Sequence, residues 1–157
     1  MPAVFKMTPT APFAASQSTL LGAGTGAANN LSDLDKSKFV KLVAASRMDL
    51  CAAGDQIEGF ITSVEAATQN GYSFGGVANE GKMYVTLDGL QATPGVGAIA
   101  IGDYLVTGTP TARGTILPGA PKVCKATAAA NTLLYKWRLV EATATAVGTV
   151  GVMERVG

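Results

Sequence analysis

The sequence contains no histidine among its 157 residues. Histidine is the usual general base near neutral pH and the commonest metal ligand. Its absence excludes Ser-His-Asp and Cys-His catalytic arrangements and the usual catalytic zinc sites. Paired carboxylates could still support acid–base chemistry. The candidate pairs are Asp33 with Asp35, Asp55 with Glu58, and Glu80 with Asp88. Each pair has a simpler explanation in a turn, a linker or the surface, so we expect no enzyme, no cofactor and no metal site.

Charge is also scarce, because charged residues make up 15% of the chain against about 25% in ordinary globular proteins. Apolar residues make up 48%, and the net charge is +1. The basic residues are scattered in small groups, whereas a nucleic-acid-binding protein carries a clustered basic stripe. We therefore expect no nucleic-acid partner. A surface with so few charges is typical of a protein that is partly covered by another protein.

Only two cysteines are present, Cys51 and Cys124, and their spacing marks neither a disulfide framework nor a zinc site. Free buried thiols are the default in a reducing cytoplasm, but the spacing leaves open whether the two residues pair. No apolar run approaches the ~18 residues of a membrane-spanning helix. The first residues, Met1 to Pro9, hold one charge followed by prolines and polar residues, which does not match a secretory signal. We expect neither a membrane protein nor one secreted by the usual route.

Residues 1–32 differ in character from the remainder of the chain. They carry one charge, three prolines and a glycine-rich run at 22–30, and they show neither helical nor alternating periodicity. A segment of this composition packs poorly alone. Its apolar residues include Phe5, Phe13, Leu20 and Leu21, which we expect to anchor it on a neighbouring protein. The sequence therefore predicts an extended N-terminal arm and linker over residues 1–37 and a β-rich globular domain over 38–157.

The remaining sequence is punctuated by turns and short β-type runs. The clearest alternation is Lys82–Leu87, with Met83, Val85 and Leu87 on one face. The main turn signals are Gly54-Asp55, Asn70-Gly71, Asp88-Gly89 and Gly102-Asp103. About eight short strands at this spacing predict an all-β fold, either a β-sandwich or a small β-barrel. Trp137 is expected in the core, with Lys136 and Arg138 facing water.

Four parts of the sequence together resemble the head decoration, or capsid cement, proteins of tailed bacteriophages. These parts are DLCAAGDQIEGFITSVE (49–65), GYSFG (71–75), IGDYLVTG (101–108) and VGTVGVMERVG (147–157). The resemblance spans residues 38–157 and is one of composition and architecture. It implies a non-catalytic protein that stabilises the outer capsid surface of a virion after synthesis in the host cytoplasm. The implied partners are the major capsid protein and neighbouring copies of the chain itself.

Two alternatives stay open. One is another virion component, such as the base of a head fibre or a tail protein. The other is a non-catalytic β module that binds carbohydrate or a small ligand. Such a module more often carries several aromatic side chains placed for stacking, and this chain has one tryptophan and four tyrosines.

Overall fold

The fold is known from a computed structural model that describes residues 16–69, 71–128 and 132–157. Within these ranges there are eleven β-strands and one short 3-10 turn, Asp33–Asp35. The strands are β1 (Ser16–Leu21), β2 (Phe39–Ala44), β3 (Arg47–Leu50), β4 (Gly59–Gln69), β5 (Tyr72–Ala78), β6 (Lys82–Leu90), β7 (Thr93–Pro94), β8 (Tyr104–Thr107), β9 (Lys122–Lys125), β10 (Trp137–Ala142) and β11 (Val150–Arg155). The all-β prediction is confirmed.

The first five strands form a closed barrel in the order β1-β3-β2-β4-β5, with β5 pairing back to β1. The antiparallel β1–β5 pairing runs from Ser16 opposite Ala78 to Leu21 opposite Ser73. Strand β1 also pairs in parallel with β3 through Leu20 and Leu21. Because β1 contributes pairings on both sides, the barrel cannot close without it.

The second sheet also closes into a ring. Its strands follow the order β11-β10-β8-β9-β6, and β11 pairs with β6 to close the ring. The short strand β7 pairs with the end of β6. The predicted alternation of β6 is visible in its burial, since Val85 and Leu87 are buried and Tyr84 is exposed. Side chains of alternate residues therefore fill the barrel and cover its outer surface, as the period of a strand requires.

One core cluster crosses between the two barrels. The first barrel holds a cluster of Leu21, Leu31, Val40, Ile61, Val64 and Val77. The larger cluster combines Phe39, Cys51 and Ile57 with eight residues of the second barrel. Trp137 is fully buried within it, and its indole Nε1 donates a hydrogen bond of 2.8 Å to the Ile57 carbonyl. Trp137 also meets the ring of Phe60 edge-on at 6.3 Å between centroids. The predicted core position of Trp137 is confirmed.

A buried ion pair next to the first barrel is contacted by a loop from the second barrel. Lys38 Nζ lies 2.6 Å from Asp35 Oδ1, and both side chains are almost completely excluded from water. The loop at 108–121, here called the strap, contacts both partners. The Ala112 carbonyl accepts from Lys38 Nζ at 2.8 Å, and the Gly114 N–H donates to Asp35 at 2.9 Å. The strap thus closes a buried polar network in which both charges have partners.

The predicted boundary after residue 37 does not match a boundary in the structure. Residues 16–37 supply β1, the 3-10 turn and the buried Leu31, so they belong to the first barrel. The sequence pattern failed here because Ser16–Leu21 shows no apolar–polar alternation and runs directly into the glycine-rich stretch at 22–30. Residues 1–15 lie outside the described residues, and an arm there stays a prediction. The hairpin predicted at Asn70-Gly71 is consistent with Gln69 lying opposite Tyr72, although Asn70 itself lies outside the described residues.

Substitution of Lys38 tests the buried ion pair. We expect Lys38→Met to lower the free energy of unfolding by about 3–5 kcal/mol, because the Asp35 carboxylate would be left buried without its counter-charge. Urea unfolding followed by tryptophan fluorescence measures the change. The matched control is Lys36→Met, since Lys36 forms an ion pair of the same i,i+3 spacing with Asp33 but on the exposed surface. That control should change stability by less than about 0.5 kcal/mol; equal effects would contradict the role assigned to Lys38.

The same pair sets a dependence on pH. Burial acts to raise the pKa of Asp35, but hydrogen bonds from Lys38, Ser32 and Gly114 outweigh it and hold that pKa below its ordinary value of 3.8. Because the folded pKa lies below the unfolded one, the stabilisation is present above pH 3.8 and is lost as the pH falls through the folded pKa. An Asp35→Asn variant should lack this acid-dependent loss.

Candidate functional site

The two thiols are buried and unpaired, which answers the question that the sequence left open. Burial raises the pKa of Cys51 to about 12 and that of Cys124 to about 11. At neutral pH both therefore remain protonated, and a protonated thiol is a poor nucleophile. Among the described residues no group of three or more His, Cys, Asp or Glu side chains is arranged to hold a metal ion.

The thiols should resist alkylation in the folded protein. At pH 8 we expect a maleimide or disulfide reagent to label Cys51 and Cys124 only slowly, because the thiolate population is small and both sulfurs are buried. In denaturant both should label rapidly. Intact-mass spectrometry over time measures the labelling, and rapid modification of either cysteine in the native protein would contradict the burial described here.

Two of the carboxylates considered in catalytic pairs, Asp88 and Asp55, make structural hydrogen bonds. Asp88 is buried and accepts hydrogen bonds from the N–H and the hydroxyl of Thr109 at 2.8 and 2.7 Å. Strand β6 continues past it to Leu90, so the turn predicted at Asp88-Gly89 lies inside a strand. Asp55 accepts from the Ala52 N–H in the predicted turn and from Lys41 Nζ. These groups hold the backbone and are not aimed at an open cleft.

The most distinctive surface lies at one end of the second barrel. Two connections meet there, here called loops: residues 91–103, which include β7 and join β6 to β8, and residues 143–149, which join β10 to β11. The Ile99 N–H donates to the Thr145 carbonyl at 3.1 Å, and the Gly148 N–H donates to the Leu87 carbonyl at 2.8 Å. The Ile99 side chain is fully buried in the core. These contacts hold both loops in one defined conformation against the barrel.

Gly89 allows the first of these loops to fold back onto β6. It adopts a φ of +85°, and a Cβ atom at this position would lie 2.3 Å from the Val96 carbonyl oxygen. Only glycine accepts both this backbone conformation and this approach. The Leu90 N–H then donates to the Val96 carbonyl at 2.9 Å. The close contact places the Val96 side chain outward, where it is 65% exposed.

The two loops expose large apolar side chains, and their one charged residue is Asp103 at the end of the first loop. Ile101 is 62% exposed and Val147 is 42% exposed, in addition to Val96. The chain has no charged residue between Asp88 and Asp103 or between Glu141 and Glu154. We call the surface formed by Val96, Ile101 and Val147 the apolar loop face. A hydrogen bond joins the two connections, and exposed apolar side chains on neighbouring segments suit a contact with another protein.

Sequence reasoning missed the apolar loop face and chose other residues. Leu21 is fully buried in the first barrel and Leu20 is half-buried in β1, so Leu21 cannot anchor a partner in this structure. Phe5 and Phe13 lie outside the described residues. The two charge-free stretches at 89–102 and 142–153 are visible in the sequence, but they lie far apart along the chain. Only the topology of the barrel brings them together.

No protein-family model, curated protein or solved structure matches this chain. None of the helices in the described ranges is long and apolar enough to span a membrane.

Truncation of Leu21 distinguishes a core role from a partner-binding role. Leu21→Ala should lower the free energy of unfolding of the isolated protein by about 2–5 kcal/mol, because it empties a fully buried site. The half-buried Leu20→Ala should cost less. Chemical unfolding of both variants measures the difference. If Leu21→Ala left the stability of the free protein unchanged, Leu21 would not belong to its core.

Proposed function

We propose that this protein is a structural component of a virion that decorates and stabilises the capsid by binding the major capsid protein. The observation that carries the proposal is the apolar loop face, a preformed and uncharged surface on a rigid double barrel. Such a surface suits a task that needs contact and no chemistry. The resemblance to phage decoration proteins favours a capsid over other protein partners.

The physical basis of the proposed stabilisation is linkage. A protein that binds across neighbouring coat subunits binds the closed shell and not the opened one, so it shifts the equilibrium towards the closed shell. Repetition over a lattice multiplies weak contacts into tight attachment. Each copy therefore needs only a modest contact with the shell.

The position of β1 changes which part of the chain is available as an arm. Residues 16–32 contribute a strand and Leu31 to the first barrel, so they are committed to the fold. An arm that reaches the coat would consist of residues 1–15, with Phe5 and Phe13 as its large apolar anchors. Each large apolar side chain, fully buried in a partner, contributes about 1.5–3 kcal/mol before the cost of ordering the arm.

Binding to expanded heads tests the proposal. The full chain should co-sediment with heads of its coat protein and raise their resistance to heat or guanidinium. A chain lacking residues 1–15 should fold but bind more weakly, and Phe5→Ser with Phe13→Ser should reproduce that loss. Circular dichroism of each variant confirms that the barrels are intact.

Two results would contradict parts of the proposal. If the full-length protein never associates with heads, capsid decoration is wrong and the carbohydrate- or ligand-binding alternative moves forward. If the truncated chain binds heads as tightly as the full chain, residues 1–15 have no part in the attachment.

A further inference from the structure

A buried hydroxyl at the end of β8 has no hydrogen-bond partner among the described residues. Thr107 is 3% exposed, and its Oγ1 atom is the group left unpaired. The backbone of the same residue is satisfied, because its N–H donates to the Asp55 carbonyl at 3.0 Å and its carbonyl accepts from the Gly54 N–H at 2.8 Å. Burying a hydroxyl without a partner costs free energy, and most such groups in folded proteins bond to protein or to ordered water.

The Cys51 thiol does not supply the missing partner. Burial raises the pKa of Cys51, and the Thr107 hydroxyl acts in the opposite direction, so the two groups are close neighbours. The thiol donates to the Gln56 carbonyl, with 3.7 Å between sulfur and oxygen, and sulfur is a weak acceptor. Thr107 Oγ1 makes no hydrogen bond with it and still requires a stronger partner.

Lys38 has an unused donor in the same part of the molecule. An ammonium group has three N–H donors. Those of Lys38 meet Asp35 Oδ1 at 2.6 Å and the Ala112 carbonyl at 2.8 Å, and the described residues supply no third acceptor. The Lys38 side chain is only 5% exposed, so bulk water has little access to the remaining donor.

One small cavity is lined by both Lys38 and Thr107. Cys51 also lies in its wall, and the strap covers it with residues that include Pro110 and Leu117. The volume of the cavity is about 20 Å³. A water molecule needs about 10–15 Å³ of such space, so the cavity has room for water and is far smaller than a pocket for a metabolite.

The charges around the cavity favour a neutral occupant. The charge of Lys38 is already balanced by Asp35, so a bound anion would leave a net negative charge among buried groups. A cation would face the Lys38 ammonium. Lys122 also lines the cavity, but this residue is exposed to solvent. Water can accept from one group and donate to another, which matches an unpaired N–H and an unpaired hydroxyl oxygen.

We propose that one ordered water occupies this cavity, accepts a hydrogen bond from Lys38 Nζ and donates one to Thr107 Oγ1. The water links the residue that precedes β2 to the last residue of β8 and completes the polar network beneath the strap. This inference is independent of capsid binding and is tested on the free protein.

A crystal structure of the full chain, at a resolution that shows ordered water, tests the site directly. We expect a density peak at about 2.7–3.2 Å from both Lys38 Nζ and Thr107 Oγ1. Crystals soaked in bromide should show no anomalous signal at this position. A cavity without density would overturn the inference, and a bromide signal would overturn it as well, because the occupant would then be an anion.

Thr107→Val tests the site in solution, since valine keeps the shape of threonine and removes the hydroxyl. Loss of a water-mediated link should raise the equilibrium constant for unfolding about two- to tenfold. Removal of an unpaired buried hydroxyl would instead lower that constant, by about fivefold or more. Urea unfolding followed by tryptophan fluorescence gives the sign of the change, and an unchanged or lowered constant would contradict the water site.

Two further variants serve as controls. Thr86→Val changes a threonine on another strand of the second barrel, whose hydroxyl donates to the Ala120 carbonyl at 2.9 Å. It should raise the unfolding constant to a similar extent, because the partner there is a protein group. Thr107→Ser keeps the hydroxyl and should keep the density peak, whereas Thr107→Val should lose it. A peak that persists unchanged in Thr107→Val would show that Thr107 does not bind the water, which would overturn the inference.

Discussion

The arrangement of the two barrels depends on the buried pairing of Lys38 with Asp35. An isolated charge in this position would cost several kcal/mol in lost hydration, so each partner requires the other and the backbone groups around them. The strap supplies these groups through Ala112 and Gly114, which come from the second half of the chain. The strap is reinforced by Arg113, whose guanidinium lies 2.9 Å from the carboxylate of Asp49 on β3. The polar contacts thereby favour the relative placement of the barrels in which the buried charges of Lys38 and Asp35 both have partners.

The apolar contact around Trp137 acts beside this network. Its indole ring lies in the second barrel, whereas its hydrogen-bond acceptor Ile57 and its ring partner Phe60 come from the first half of the chain. Arg155 covers the same region, lying 5.7 Å from the Trp137 ring and donating to the carbonyls of Glu58 and Asn79. The polar contacts of the strap and the packing around Trp137 therefore both hold the two barrels together. The loops at the far end of the second barrel are carried on a body that has little freedom to bend.

The sequence predicted the features that depend on local pattern. The alternation at Lys82–Leu87, the turns at Gly54-Asp55 and Gly102-Asp103 and the burial of Trp137 follow from side-chain period and backbone preference, and all are found. Features that depend on long-range pairing were not accessible. Nothing local marks β1 as part of a barrel, because its partners β3 and β5 lie about 27 and 55 residues away in the chain. The sequence similarly shows Lys38 as one of three closely spaced lysines, Lys36, Lys38 and Lys41, and gives no sign that the strap buries it.

The same limit applies to the apolar loop face. Each of its two stretches alone reads as an ordinary Gly- and Ala-rich loop, and a single exposed valine on a loop is unremarkable. The apolar loop face forms because β11 pairs with both β6 and β10, which brings residues 91–103 beside residues 143–149.

Closure of the strands also determines the kind of contact that the protein can make. In the described part of the second sheet, the five strands of the ring each have a partner on both sides, so a partner protein cannot simply add a strand there. The outer faces of β6, β10 and β11 carry Lys82, Arg138 and Glu154 in one cross-strand row, which favours solvation of that face. Binding through the second barrel must then use side chains, either on its outer wall, where Tyr84 is 70% exposed, or at its ends. The strap meets one end, and the apolar loop face lies at the other, where Gln91 also donates a hydrogen bond of 3.2 Å to the Gly54 carbonyl between β3 and β4. The closed ring thus makes contact between side chains, and not addition of a strand, the way in which the second barrel can bind a partner.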